Sequence, residues 1–184
     1  MAALLLGCSS TQLTHHSRGI DPPFCKNGLH GSRAVVYWDT AWRPNQKEIE
    51  LREKILAEGI SSFFGKAQCM KTIKISRRIG NKPVSMCSEV EIAADARTLD
   101  ADKAIVIRIE ELGPNLMLYL SPILWETKNE VLMRTKVLDS QKETIETDTT
   151  SHWYRGGPFM LLGTDSLHKD LDGTLDELFH GSRK

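Results

Sequence analysis

"DADKAIVIRIEEL", residues 100–112, decides how the chain folds. Ala104, Ile105, Val106 and Ile107 are apolar without a break, so both sides of this extended segment need cover. A central strand with helices above and below provides it. Working backwards, Ser88 and Glu91 have capping-box spacing and open a helix running to about Leu99. Its Val90, Ile92, Ala93, Ala94 and Ala96 include residues small enough for close approach to a sheet. Before it, "MKTIKISRRI" (residues 70–79) alternates Ile73, Ile75 and Arg77 against polar neighbours, as a strand exposed on one side does. Gly80-Asn81-Lys82-Pro83 then makes a turn.

Further back, residues 45–66 place Ile49, Ile55, Leu56, Gly59, Ile60, Phe63 and Phe64 over about half of a helical circumference. Glu48, Glu50, Arg52, Glu53, Lys54 and Glu58 take the remainder, and Gly65 is positioned as a C-cap. Residues 34–38 have the length and β-branched content of a buried strand. The order so far is strand, helix, strand, helix, strand.

Downstream the pattern changes. "NLMLYLSPILWET", "EVLMRTKVLDS" and "ETIETDTTSHWY" are β-rich and separated by short polar connections at Lys128-Asn129 and Ser140-Gln141-Lys142. They predict an antiparallel meander, with Pro122 bending the first strand or placing it on an edge. Leu167, Leu171, Leu175, Leu178 and Phe179 recur at helical spacing and predict a closing helix, weakened only locally by Gly173. The fold class is therefore α/β (α+β). It is a mixed sheet of about five to six strands with two helices packed on one face, a meander and a C-terminal helix.

Composition narrows the function. Lys plus Arg and Asp plus Glu each number 24 in 184 residues, so the formal net charge is zero. A general nucleic-acid binder needs a basic excess to neutralise phosphates, so no nucleic-acid partner is expected. Hydrophobic content of 40% suits one ordinary domain. We place it at residues 33–180, with a tail at 181–184. Residues 8–32 are rich in Ser, Gly, Pro and His, lack periodicity, and read as a flexible tether. His15, His16 and His30 offer metal ligands together with Cys25, but the spacing matches no closed zinc site, and solvated linker histidines are the simpler reading.

The first residues carry a resemblance. "LLLGCSS" ends an apolar run at Leu5-Leu6-Gly7-Cys8, which resembles the lipobox of bacterial lipoproteins. Leu6 stands where that pattern favours a small or β-branched residue. The resemblance implies that residues 1–7 are a residual signal peptide and that Cys8 is the lipid-attachment residue. Ser9 after it resembles an outer-membrane sorting signal, which implies a periplasmic domain anchored to that membrane by acyl chains such as palmitate. The element order around "ADKAIVIRI" is similar to small envelope lipoproteins, to the amino-terminal domain of TolB and to the CsgG lipoprotein. That likeness implies a noncatalytic adaptor or assembly factor.

Chemistry-bearing patterns are sparse. The chain has no Gly-x-Ser-x-Gly elbow, Walker loop, dinucleotide-binding glycine triplet or His-Glu-x-x-His motif, so no catalytic residue, metal or cofactor is assigned. An alternative is a periplasmic metal-dependent hydrolase built from His152, Asp165 and His168, with Asp170 and Asp172 nearby. Another is a carrier of a small apolar ligand under the long helix. Glu110-Glu111 is a poor acid/base pair because adjacent strand residues point to opposite faces. Cys25, Cys69 and Cys87 allow one disulfide, for which Cys69 with Cys87 is the nearest pair, or three reduced thiols. "HWYRGGPF" reads as a loop presenting Trp153, Tyr154 and Arg155, residue types enriched at protein-binding hot spots. The competing reading has Trp153 and Tyr154 plugging the sheet edge. The partner and oligomeric state are left open.

Overall fold

The stretch read as a tether belongs largely to the sheet. In the computed structural model, which describes residues 10–118, 125–158 and 166–181, Ser10–Gly19 is a strand, β1. It pairs antiparallel along its whole length with a C-terminal strand, from Ser10 opposite Gly156 to Gly19 opposite Thr147. Leu13 is its single large apolar residue and packs against the core. The other anchors are polar: Thr149 Oγ1 donates to Ser17 Oγ at 2.9 Å and Thr147 Oγ1 to the Ile20 carbonyl at 2.7 Å. Gly19 closes the strand at φ +100°, where a Cβ would lie 1.9 Å from the Glu146 carbonyl oxygen. Only glycine fits there. A π-helical turn at Cys25–Leu29 follows, burying Cys25 and Leu29.

The remaining elements run as β2 (Arg33–Thr40), α1 (Ile49–Lys66), β3 (Lys71–Ser76), β4 (Arg78–Ile79), β5 (Lys82–Pro83), α2 (Glu89–Thr98), β6 (Lys103–Leu118), β7 (Trp125–Asp139), β8 (Thr144–Pro158) and α3 (Leu167–His180). The six-stranded sheet has the order β1-β8-β7-β6-β2-β3, and β4 with β5 form a small separate hairpin. β2 is parallel to both β3 and β6, and the rest of the main sheet is antiparallel. The architecture is thus the expected mixed sheet with a closing helix.

β2 is buried on both faces, as its apolar run requires. Ala34, Val36 and Trp38 face a large core with α1 and α3, while Val35 and Tyr37 face a smaller one with α2. The two-helix layer therefore consists of α1 and α3, and α2 sits on the opposite face. At Gly59 the two helices meet closely: a Cβ there would lie 2.6 Å from Leu171 Cδ2. The capping box at Ser88 and Glu91 is formed, and the Lys82 ammonium beside Glu91 helps hold its carboxyl down to about 2.

Two boundaries differ from expectation. Lys128-Asn129 is no turn but lies inside β7, and residues 115–118 continue β6. The long β6–β7 ladder accommodates this with a bulge, since register shifts between Ile109 and Glu111 and leaves Glu110 as the extra residue. Gly65 lies within α1, whose C-cap is Ala67.

Candidate interaction face

Strand alternation gives β7 and β8 two distinct surfaces. Val131, Met133, Thr135, Thr147, Thr149, Ser151 and Trp153 are buried toward α3. On the other side Arg134, Thr150 and His152 are exposed, together with His16 and Arg18 of β1. α2 covers β2 and β6 and meets β7 where Lys136 pairs with Glu89 at 2.6 Å. Beyond that pair, among the described residues of this side, Leu132, Asp148 and Tyr154 are half-buried and Arg134, Thr150 and His152 exposed.

This face is ordered by matched charges. Arg134 holds Asp148 through Nε at 2.7 Å and Nη2 at 2.5 Å. Arg108 holds Asp39 in the same forked manner at 3.2 and 2.9 Å. The Asp148 carboxylate raises the Arg134 pKa, and Arg134 holds Asp148 below the usual carboxylate range. A cavity of about 140 Å³ opens beside α2, lined by Val84, Cys87, Ile92, Val106, Arg108 and Arg134 among others. Cys87 contributes a thiol to it, but burial pushes that thiol's pKa up, and the thiol donates to the Pro83 carbonyl at 3.4 Å. Both effects disfavour the nucleophilic thiolate.

Trp153, Tyr154 and Arg155 stand within β8, not in a loop. Alternation separates them. Trp153 is 8% exposed and joins the α1/α3 core, so its side chain plugs the sheet. Arg155 turns to the same side, where its guanidinium lies 5.8 Å from the Trp153 ring centroid and 3.0 Å from Asp170 Oδ1. Tyr154 points the other way, with Lys128 Nζ 5.3 Å from its ring centroid. Asp170 itself is buried against Asn129, which donates to it and to Ser166 Oγ at 2.5 Å. Burial raises the Asp170 pKa against the opposing pull of Asn129 and Arg155.

The cysteine pairing also departs from expectation: Cys25 bonds to Cys69, and Cys87 is free. Cys25 and Cys69 belong to the α1/α3 side of the sheet, whereas Cys87 packs with the α2 side. The sheet therefore keeps the nearest sequence neighbours apart. His180 brings a ring nitrogen within 4.8 Å of the two bonded sulfurs. His15 and His16 occupy successive positions of β1, and His30 lies in the turn after the π-helical segment.

The acidic-histidine set does not converge. His152 belongs to the open face, while His168 lies 3.6 Å from Glu58 on the helical side. Asp172 is exposed and Asp170 points inward; Asp165 and Cys8 lie outside the described residues. Space under α1 is filled by its own Leu56, Ile60 and Phe64.

A second polar cluster joins residues that no sequence motif connects. Arg52, assigned to the solvated side of its helix, is 3% exposed and donates through Nε to the Lys47 carbonyl at 2.7 Å. Its guanidinium lies against the Gly113 backbone, where a Cβ would be 1.6 Å from Nη1. Buried Glu111 pairs with Arg43. The available signal was Gly113 beyond the bulge; the charge partners come from segments distant in sequence.

No protein-family model matches the chain, and no curated protein matches it. Among solved structures it is similar to the PelC dodecamer from Paraburkholderia phytofirmans, at 13% identity over 94% of this chain and 100% of that chain, with a TM-score of 0.50. It also aligns with lipoprotein GNA1162 from Neisseria meningitidis, at 9% identity over 80% of this chain and 97% of that one, TM-score 0.46. A third alignment is with protein XCC0632 from Xanthomonas campestris, at 10% identity over 82% of this chain and 80% of that one, TM-score 0.34. The first likeness speaks for a shared fold. No helix among the described residues is long and apolar enough to cross a membrane.

Proposed function

We propose that the chain is a noncatalytic envelope lipoprotein, acylated on Cys8 at the outer membrane, whose periplasmic domain acts as an adaptor or assembly subunit by binding protein. The observation that carries this reading is the charged, exposed set of described residues on one side of β7, β8 and β1. There Arg134, Asp148, Thr150 and His152 stand exposed or half-exposed on a rigid sheet with their charges already paired. Fixed, paired charges give specificity and register at an interface. The lipobox-like Leu5-Leu6-Gly7-Cys8 and the resemblance of the element order to TolB- and CsgG-type domains, both read from the sequence, favour the envelope setting. Likeness to PelC, which is named as a dodecamer, favours a second copy of the chain as one of the bound proteins.

Light scattering on the detergent-solubilised, acylated protein tests it. The expected protein mass is that of two or more acylated chains. Thr150→Trp combined with Arg134→Ala is expected to release monomers with little change in the melting temperature. A monomer at every concentration, unaltered by these substitutions, overturns self-assembly as the role of this face. Among the three hot-spot candidates, Tyr154→Ala is the informative one, because Trp153→Ala and Arg155→Ala also disturb the interior.

A further inference from the structure

The bonded sulfurs of Cys25 and Cys69 lie where three element ends converge: the π-helical turn before β2, the α1–β3 connection and the last turn of α3. There His180 holds a ring nitrogen within 4.8 Å of both. Its Nδ1 donates to Asp176 Oδ1 at 2.8 Å, and the Phe63 ring packs 5.5 Å from its own, so the imidazole is fixed from two sides. The two sulfurs differ in access. Cys25 is 6% exposed and belongs to the core, whereas Cys69 and His180 are half-exposed. A sulfur that an incoming thiol can reach, a leaving sulfur that it cannot, and an imidazole beside both are the parts of an exchange reaction.

We propose that Cys69, Cys25 and His180 form a thiol–disulfide exchange site whose partner is a protein dithiol of the Cys-x-x-Cys kind. One thiolate of the dithiol attacks Cys69 Sγ. A mixed disulfide forms, the Cys25–Cys69 bond breaks, and its electron pair leaves on Cys25 Sγ. The His180 imidazolium stabilises that thiolate, and a better-stabilised thiolate leaves faster. The second thiolate of the dithiol then displaces Cys69, so the dithiol gives up two electrons and becomes a disulfide. Its two protons end on Cys25 and Cys69. One dithiol is consumed per chain, so the step is a stoichiometric exchange. The backbone keeps the opened cysteines apposed: the Gly31 N–H donates to the Cys69 carbonyl at 2.7 Å and the Lys71 N–H to the Ser32 carbonyl at 2.8 Å. The bond can therefore close again. The site uses neither Cys8 nor the β7–β8 face, and so stands or falls apart from the role in assembly.

Timed reduction of the oxidised full chain tests it. Dithiothreitol serves as the dithiol, iodoacetamide caps the released thiols, and peptide mass spectrometry reads Cys25 and Cys69 separately from Cys87. His180→Gln is expected to slow the reduction about tenfold, and His180→Lys, which returns a cation, to recover most of the rate. A merely structural side chain acts the other way, because losing it loosens the fold and exposes the bond. Reduction of His180→Gln as fast as the native chain, or faster, overturns the proposal. Excess glutathione, a monothiol, traps the first step on the native chain. Its adduct is expected on Cys69. An adduct on Cys25, an equal split between the two, or no adduct also overturns the site.

Discussion

The two halves of the main sheet are built from different interiors. Under β2 and β6, the layer facing α1 is aliphatic: Val36, Ile105, Ile107 and Ile109 are fully buried with Leu56 and Ile60. Under β7 and β8, the buried layer facing α3 includes Thr135, Thr147, Thr149, Ser151 and Asn129. The first half gains stability from apolar area removed from water, at roughly 25 cal/mol per Å². The second adds hydrogen bonds, those of Asn129, Thr147 and Thr149, whose net contribution is about 1 kcal/mol each. The sheet is continuous, but its cohesion is not. The parallel half anchors the domain, and the antiparallel half is held by β1 and α3, elements from the two ends of the sequence.

The largest effect is expected at the aliphatic half's covalent tie. Cys25 and Cys69 are separated by 44 residues, and replacing both by Ser removes a loop constraint of about 4 kcal/mol in the chain-entropy picture. Denaturant unfolding measures it. Ile107→Ala is expected to cost about 3 kcal/mol through its cavity, whereas Thr149→Val should cost only about 1 kcal/mol by removing the bond to Ser17. Equal losses at these two positions would erase the distinction between the halves.

Arg155→Ala is expected to cost about 2 kcal/mol near neutral pH, because it strips a cation from buried Asp170. The loss should shrink as pH is lowered. Burial raises the folded-state Asp170 pKa above its unfolded value, so its ionisation in the fold opposes stability. That contribution is favourable below about pH 4, the unfolded value, and is lost as pH rises through the elevated folded one. Asp139 and Asp148 behave oppositely. The Lys142 N–H holds Asp139 down and Arg134 holds Asp148 down; their stabilisation is present above about pH 4 and lost as pH falls through the depressed values. Unfolding curves of Asp170→Asn and Asp148→Asn against pH separate the two signs.

Thr135 and Ser151 have buried hydroxyls without a hydrogen-bond partner among the described residues. Thr135→Val should therefore stabilise by about 1 kcal/mol, the reverse of Thr149→Val one strand away. Smallest of all, Arg134→Ala should change stability by less than about 1 kcal/mol, since exposed pairs contribute little. Its expected consequence is weaker assembly, read by light scattering.

The same contrast decides what was legible in the sequence. The aliphatic half announced itself: residues 104–107 had to be a doubly covered strand, and the Leu167–Phe179 spacing had to be a helix. β1 did not. Its "STQLTHHSRG" offers one large apolar side chain, and its pairing depends on Thr147 and Thr149 across the sheet, which only the fold brings near. Lys128-Asn129 reads as a turn because both residues are polar, yet Asn129 reaches Asp170 inside the protein. Trp153, Tyr154 and Arg155 were recognised as notable residues, but their division between two faces required knowing that they lie on one strand. Cys87 stays unpaired for a related reason, since proximity to Cys69 along the chain says nothing about which side of the sheet either residue occupies.

Cys87 can also serve as a built-in clock. It is a half-buried thiol under the lighter, α2-covered side, held protonated by its surroundings and chemically separate from the bonded sulfurs across the sheet. Its alkylation rate should follow how often that small layer lifts away, without dye or engineered handle. Timed against global unfolding, it would tell whether α2 detaches alone or only when the entire domain comes apart.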